Sequence, residues 1–165
     1  MITFAIVIAS DRSFRKERED LCGPLLHSLI TSNGWEVAST CVLPDDQDAI
    51  AQELKRLADQ SECHVVVTSG GTGLTERDLT PEATRRVIDK EIPGIAEFLR
   101  AESMKFTLCA ALSRGVAGIC KKTLIINLPG NPESIKQLFP LLAPILEHAV
   151  GLLRSEEKHI HHITE

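Results

Sequence analysis

The sequence predicts a single-domain α/β fold built on a mainly parallel sheet with helices over both faces. Three observations carry that expectation. The apolar runs Thr3–Ala9, Val65–Val67 and Thr123–Leu128 have the length and aliphatic make-up of strands buried on both sides. Segments with apolar residues at helical spacing lie between them, and alternating strand and helix gives parallel strands joined by right-handed crossovers. The chain has 165 residues, an ordinary apolar share, few aromatics and no Tyr, so small and branched aliphatics must fill one core.

Thr3–Ala9 reads as the first strand, because it lacks a basic flank and no stretch reaches membrane-spanning length. Ser10-Asp11-Arg12-Ser13 ends it, and the charged stretch Arg15–Asp20 reads as a solvated loop. Leu21, Leu25, Leu26, Leu29 and Ile30 recur at helical spacing, and Asn33-Gly34 closes that helix. Trp35–Leu43 is the second strand. It ends at Pro44-Asp45-Asp46, where an acid is placed to cap a helix carrying Ile50, Leu54 and Leu57.

The third strand, Val65–Val67, runs into a glycine turn. Thr80-Pro81-Glu82 then opens a helix extending to about Asp89, with Thr80 as N-cap, Pro81 at the first helical position and an acid in the first turn. A break at Pro93-Gly94 precedes a helix over Ile95–Lys105, and Ala110–Cys120 is irregular. Thr123–Leu128 is the clearest late strand and leaves through the sharp turn Pro129–Pro132. The last helix carries Ile135, Leu138, Phe139, Leu142, Ile145, Leu146 and Ala149, and Pro140 and Pro144 are expected to split or kink it. The domain is expected to span residues 1–154. Residues 155–165 form a polar tail expected to fray, and its His159, His161 and His162 are given no role.

The formal net charge of −5 argues against a nucleic-acid groove. A phosphate ligand remains compatible with it, held by local amides, a few cations or a metal. The five cysteines, Cys22, Cys41, Cys63, Cys109 and Cys120, are odd in number, widely spaced and free of any C-x-x-C pair. That pattern predicts free thiols in a cytoplasmic protein and neither a disulfide framework nor a zinc site.

The stretch that organises the chain is His64–Ala83: strand, glycine turn, acid, helix start. Gly70, Gly71 and Gly73 permit positive φ and close approach of a ligand to backbone amides. The turn is not a Walker loop, since no Lys-Ser/Thr follows, and it is not G-x-G-x-x-G. Alone it reads more often as a tight turn than as a ligand loop. Four polar loops give it context: Ser10–Arg12, Pro44–Asp46, Thr68–Asp78 and Pro129–Pro132 each follow a strand. In a parallel sheet such loops share one edge, where ligands bind. Gly71→Val is expected to weaken binding there and leave folding nearly intact, the loop lying outside the core.

Ser10-Asp11-Arg12, Leu43-Pro44-Asp45, Thr68-x-Gly-Gly-Thr-Gly73, Arg77-Asp78-x-Thr-Pro-Glu-Ala83, Leu112-Ser-Arg114 and Asn127-Leu-Pro-Gly-Asn-Pro132 occur in this order. Across about residues 3–153 the chain resembles the molybdenum-cofactor biosynthesis family of single-domain molybdopterin adenylyltransferases. The resemblance implies a three-layer α/β/α sandwich, a homotrimer, and transfer of AMP from Mg-ATP to the phosphate of molybdopterin with release of pyrophosphate. It implies Asp45 and Asp78 as catalytic acids and Mg²⁺ ligands. It also implies that Ser10, Asp11, Thr68, Ser69, Gly70, Gly71, Thr72, Gly73, Thr80, Pro81, Ser113, Pro129, Gly130, Asn131 and Pro132 line the molybdopterin and nucleotide sites. Transient contact with other cofactor-biosynthesis enzymes belongs to the same expectation.

The residue types suit that chemistry. Joining two phosphates requires shielding of two anions, and carboxylates hold Mg²⁺ while glycine-loop amides hold phosphate oxygens. Taken alone, Asp45 reads as a helix cap and Asp78 as a surface acid. Cys22 stands where many relatives carry Ser in Asp-x-Ser-Gly, and a thiol donates hydrogen bonds poorly. Two other functions fit the residues: a pterin-binding carrier or scaffold without catalysis, and a nucleotide-processing domain.

Overall fold

The computed structural model describes residues 1–60 and 63–155. Thr3–Ala9 (β1), Glu36–Leu43 (β2), Val65–Ser69 (β3) and Thr123–Leu128 (β6) pair in parallel, in the order β2-β1-β3-β6. Two short strands, Lys90–Glu91 (β4) and Ala117–Cys120 (β5), extend the sheet antiparallel beyond β6. The sequence leaves these two unassigned, for a physical reason: one is only 2 residues long, and the other, 4 residues of Ala-Gly-Ile-Cys, lacks a readable alternation.

Alternation along β1 divides the core. Phe4, Ile6 and Ile8 face one side with Cys22–Ser32 (α2), Pro93–Met104 (α5) and Pro132–Arg154 (α6), where Phe4, Trp35 and Phe139 cluster. Ala5, Val7 and Ala9 face the other side with Gln47–Gln60 (α3) and Thr80–Arg85 (α4). The result is a three-layer α/β/α sandwich. Its shortest helix, Asp11–Phe14 (α1), stands where a plain loop is expected, and the Ser10 hydroxyl caps it by accepting from Ser13 N–H at 3.2 Å.

Three expectations need correction here. α6 is not split but runs 23 residues through Pro140 and Pro144. Both prolines are exposed, as is Lys136; the carbonyls left without a helical donor, those of Lys136 and Pro140, therefore belong to residues of the outer, solvent-facing side. Ile135, Leu138, Phe139, Leu142, Leu146 and Val150 meanwhile bury the inner face. α4 ends at Arg85, because the chain turns there to reach β4. Thr80 is not the cap of α4 but its first residue; Leu79 holds the cap position without a side-chain bond. The segment 108–112, within the stretch expected to be irregular or preceding it, forms a 3-10 turn with no buried residue. The tail with His159, His161 and His162 lies outside the described residues.

Candidate active site

The four strand-end loops meet at one edge of the sheet. Gly70 and Gly71 leave β3 at φ +98° and +65°, a region closed to most side chains. A Cβ on Gly70 would lie 2.3 Å from the Ala9 carbonyl oxygen. One on Gly130 would lie 3.0 Å from Gly70 Cα, so the turns after β3 and β6 touch backbone to backbone. Beneath them Asn127 is buried and fully engaged: its amide donates to Thr68 (3.0 Å) and Thr84 (2.9 Å), and its oxygen accepts from Val116 N–H. That buried network fixes the floor of the site.

Two cavities flank the glycine turn. The larger, about 560 Å³, is lined by Ser10, Asp45, Ser69, Gly70, Gly71, Asp78, Gly130, Asn131 and Pro132, together with Arg18, Glu19, Asp20 and Cys22. The smaller, about 270 Å³ and more apolar, is lined by Thr72, Gly73, Ser113 and Pro129 with Ala96, Leu99, Arg100 and Leu112. The expected site residues therefore divide between two chambers. Four of them line neither. Thr68 is bonded to Asn127 below the turn, and Pro81 is buried in α4. Asp11 has its carboxylate taken by protein groups. The Thr80 hydroxyl is buried without a partner, 2.3 Å from where a Gly71 Cβ would stand. Gly71→Val is thus no gentle probe: Gly71 is crowded by Thr80 and held at positive φ, so the variant strains the fold itself.

The acids are held differently. Asp46, not Asp45, caps α3, accepting from Ala49 N–H at 2.8 Å. Asp45 is thereby left to face Asp11: the Asp11 N–H donates to Asp45 Oδ2 at 2.8 Å, and the Asp45 N–H donates to Asp11 Oδ1 at 3.0 Å. Arg77 closes on the Asp11 carboxylate through Nε and Nη2, at 2.9 and 2.8 Å. Burial, helped by the charges of Asp11 and Asp78, pushes Asp45 above the usual carboxylate range despite the Asp11 amide and Arg77. Partial burial also opposes charge on Asp11, but Arg77 and the Asp45 amide outweigh it and hold Asp11 low.

Asp78 Oδ2 accepts from Thr75 N–H at 2.8 Å and from its hydroxyl at 2.7 Å. Burial works against its charge, yet those bonds, the Gly73 amide and Arg114 hold it below the usual range. The longer loop thus grips its acid with more donors than the strand end does.

The chain matches the family described as "Probable molybdopterin binding domain" over residues 5–148. It belongs to that family. It is 43% identical over 156 residues to the molybdenum cofactor synthesis protein cinnamon of Drosophila melanogaster, covering 92% of this chain but only 26% of the fly protein. A molybdopterin adenylyltransferase of Helicobacter pylori is 39% identical over 155 residues, covering 92% of this chain and 88% of the relative. The crystal structure of the molybdopterin biosynthesis enzyme MoaB from Thermus thermophilus superposes with a TM-score of 0.81 at 40% identity, over 92% of this chain and 98% of that one. In this family member the glycine turn, both acids and the Pro129–Pro132 turn stand at one sheet edge.

Mg²⁺ fits the donors present. No group of three or more His, Cys, Asp or Glu able to hold a metal exists among the described residues. Two carboxylates completed by substrate phosphates are a usual Mg²⁺ arrangement, however, and a cation would offset the burial and the neighbouring charges that raise Asp45. Cys22 lines the acidic cavity with its thiol in hydrogen-bond reach of Ser69, and burial pushes that thiol up. All five cysteines are free.

Several site residues escape the sequence. Arg18, Glu19 and Asp20, expected on a solvated loop, wall the acidic cavity because Asp20 accepts from the Cys22 and Gly23 amides and folds the loop inward. Arg77 and Arg114 sit inside the quoted motifs, and the Arg-Asp pair at 77–78 is the one signal that marks a cation beside the acids. No helix among the described residues is long and apolar enough to cross a membrane.

Proposed function

We propose that this chain is a molybdopterin adenylyltransferase, joining the phosphate of molybdopterin to AMP from ATP. The observation that carries the reading is the pair of cavities flanking one glycine turn, with two acids at the larger. Each substrate is a ring system ending in phosphate; two chambers take two ring systems, and the turn between them is where two phosphates meet. An oxygen of the molybdopterin phosphate attacks the α-phosphorus of ATP. The bond from that phosphorus to the β-phosphate oxygen breaks, and pyrophosphate leaves.

This chain supplies position and charge, which are the main requirements of phosphoryl transfer. Gly70 and Gly71 line the larger cavity and Gly73 the smaller without side-chain bulk, so a phosphate can approach the turn closely, while Ser10 and Asn131 cap helices at the rim of the larger cavity. Asp45 and Asp78 would hold Mg²⁺, which when bound would neutralise phosphate charge. Arg18 lines the cavity as a counter-charge to the departing pyrophosphate. We take the assembly to be a homotrimer in the cytoplasm, receiving molybdopterin from other enzymes of cofactor biosynthesis; sedimentation of the purified protein checks the trimer.

The decisive experiment incubates the protein with ATP, MgCl₂ and molybdopterin and reads the products by mass spectrometry. Adenylylated molybdopterin and pyrophosphate are expected in equal amounts. Stoichiometric pterin binding with no adenylylated product would instead establish a carrier.

A further inference from the structure

We infer that Arg114 is a positioning residue for the reaction, setting where the Asp78 carboxylate stands while touching neither substrate; this rests on the adenylyl-transfer reading above. The backbone N–H of Arg114 donates to Thr72 O at 2.9 Å. Its Nε donates to Gly73 O at 2.7 Å, its Nη2 to Asp78 O at 2.6 Å, and both Nη atoms engage the Glu82 carboxylate. One guanidinium thus grips the first and last carbonyls of the Gly73–Asp78 loop and ties both to α4.

Between those carbonyls the loop has one further side-chain anchor outside itself, Arg77, whose guanidinium is bonded to the Asp11 carboxylate. Residues 74 to 77 are exposed, and the one backbone bond inside the loop is Asp78 N–H to Thr75 O at 3.0 Å. The Asp78 carboxylate turns back onto Thr75, so its position follows the loop; Arg77 ties the middle of the loop to Asp11, while Arg114 fixes its two ends, including the Asp78 backbone itself. Arg114 is itself braced from behind. Arg100 donates to Gly115 O at 2.9 Å, and Ser113 and Gly115 form part of the wall of the apolar cavity. Lysine cannot replace this arrangement, since bridging two carbonyls and a carboxylate at once needs the planar fork. Glu82 neutralises the guanidinium, which sets it apart from a phosphate-binding arginine.

The test compares Arg114→Lys, Thr75→Val and wild type by steady-state adenylyl transfer and by amide hydrogen exchange. Arg114→Lys is expected to lower kcat about 10-fold or more with both KM values within about threefold. Exchange at residues 73–79 should quicken, while β1 and β6 stay protected, which also shows that the variant folds. Thr75→Val, a surface change, is expected to lower kcat about threefold by releasing one bond to Asp78. Raised KM at unchanged kcat would make Arg114 a ligand contact and overturn the inference, as would wild-type kcat in both variants. Should the wild type itself transfer no AMP, the functional reading falls. Exchange then decides alone: a loop no faster in Arg114→Lys than in wild type refutes the clamp, and a faster one upholds it.

Discussion

Asp45 leaves the end of β2 and trades backbone hydrogen bonds with Asp11 at the end of β1, whereas Asp78 hangs in a loop gripped by the side chains of Thr75 and Arg114. The first acid is placed by topology: adjacent parallel strands end side by side, and the second residues past their ends meet. The second is placed by recruited side chains, one of them 36 residues away in sequence. The pKa directions follow. Asp45, short of donors and beside two other acids, is raised; Asp78, rich in donors, is lowered. On the proposed reading, in which both acids serve a cation, the site carries one acid already satisfied by protein and one left wanting a partner.

The largest effect should come from neutralising either acid. Asp45→Asn and Asp78→Asn are each expected to slow adenylyl transfer by roughly 10²-fold or more, about 3 kcal/mol of transition-state stabilisation. Molybdopterin affinity, read by calorimetry, should move by less than about fivefold. Near wild-type turnover in both variants would remove these acids from the chemistry and put the carrier reading ahead.

Next comes Gly71→Val, which attacks the Asp45 side through the backbone. The new Cβ would meet Thr80 Oγ1 at 2.3 Å and stand 3.5 Å from Asp45 Oδ1, at φ +65°. Strain and overlap together are expected to cost about 2–4 kcal/mol, lowering the melting temperature by about 5–12 °C. A melting temperature equal to wild type would show that the turn relaxes freely.

The smallest effect sharpens the contrast most, because its sign differs between the acids. Asp45 has a raised folded pKa, so its charge costs stability above that value, and the cost lifts as pH falls through it. Asp78 has a lowered folded pKa, so it contributes stability above its unfolded value near 3.8 and loses that contribution as pH falls through the folded one. At neutral pH Asp45→Asn should therefore raise the melting temperature, and Asp78→Asn lower it, by about 1–3 °C each. Both differences should shrink at about pH 3. Shifts of the same sign would mean that the two acids are held alike.

Much of the architecture is legible because it depends on local pattern. The runs Thr3–Ala9 and Thr123–Leu128 coincide with β1 and β6, and the loops after parallel strands meet where topology puts them. What stays hidden depends on partners distant in sequence. Nothing in Thr68 or Pro81 says that each lies beneath the turn and not along its rim, and nothing in Ser113 says that it faces the second chamber. The Asp11–Arg77 and Arg114–Glu82 pairs join residues 66 and 32 positions apart. The unbroken α6 escapes for another reason: two prolines look fatal until the solvent face is known to hold them.

Those prolines say where the stability of the last helix comes from. A proline costs a free helix about 3 kcal/mol, so Pro132–Arg154 carries almost no helix of its own apart from the sheet. Its helicity comes from the core it shares with β1, β3 and β6. Asn131 and Pro132, at the head of that helix, line the acidic cavity. The packing that holds the helix therefore also holds one wall of the binding site.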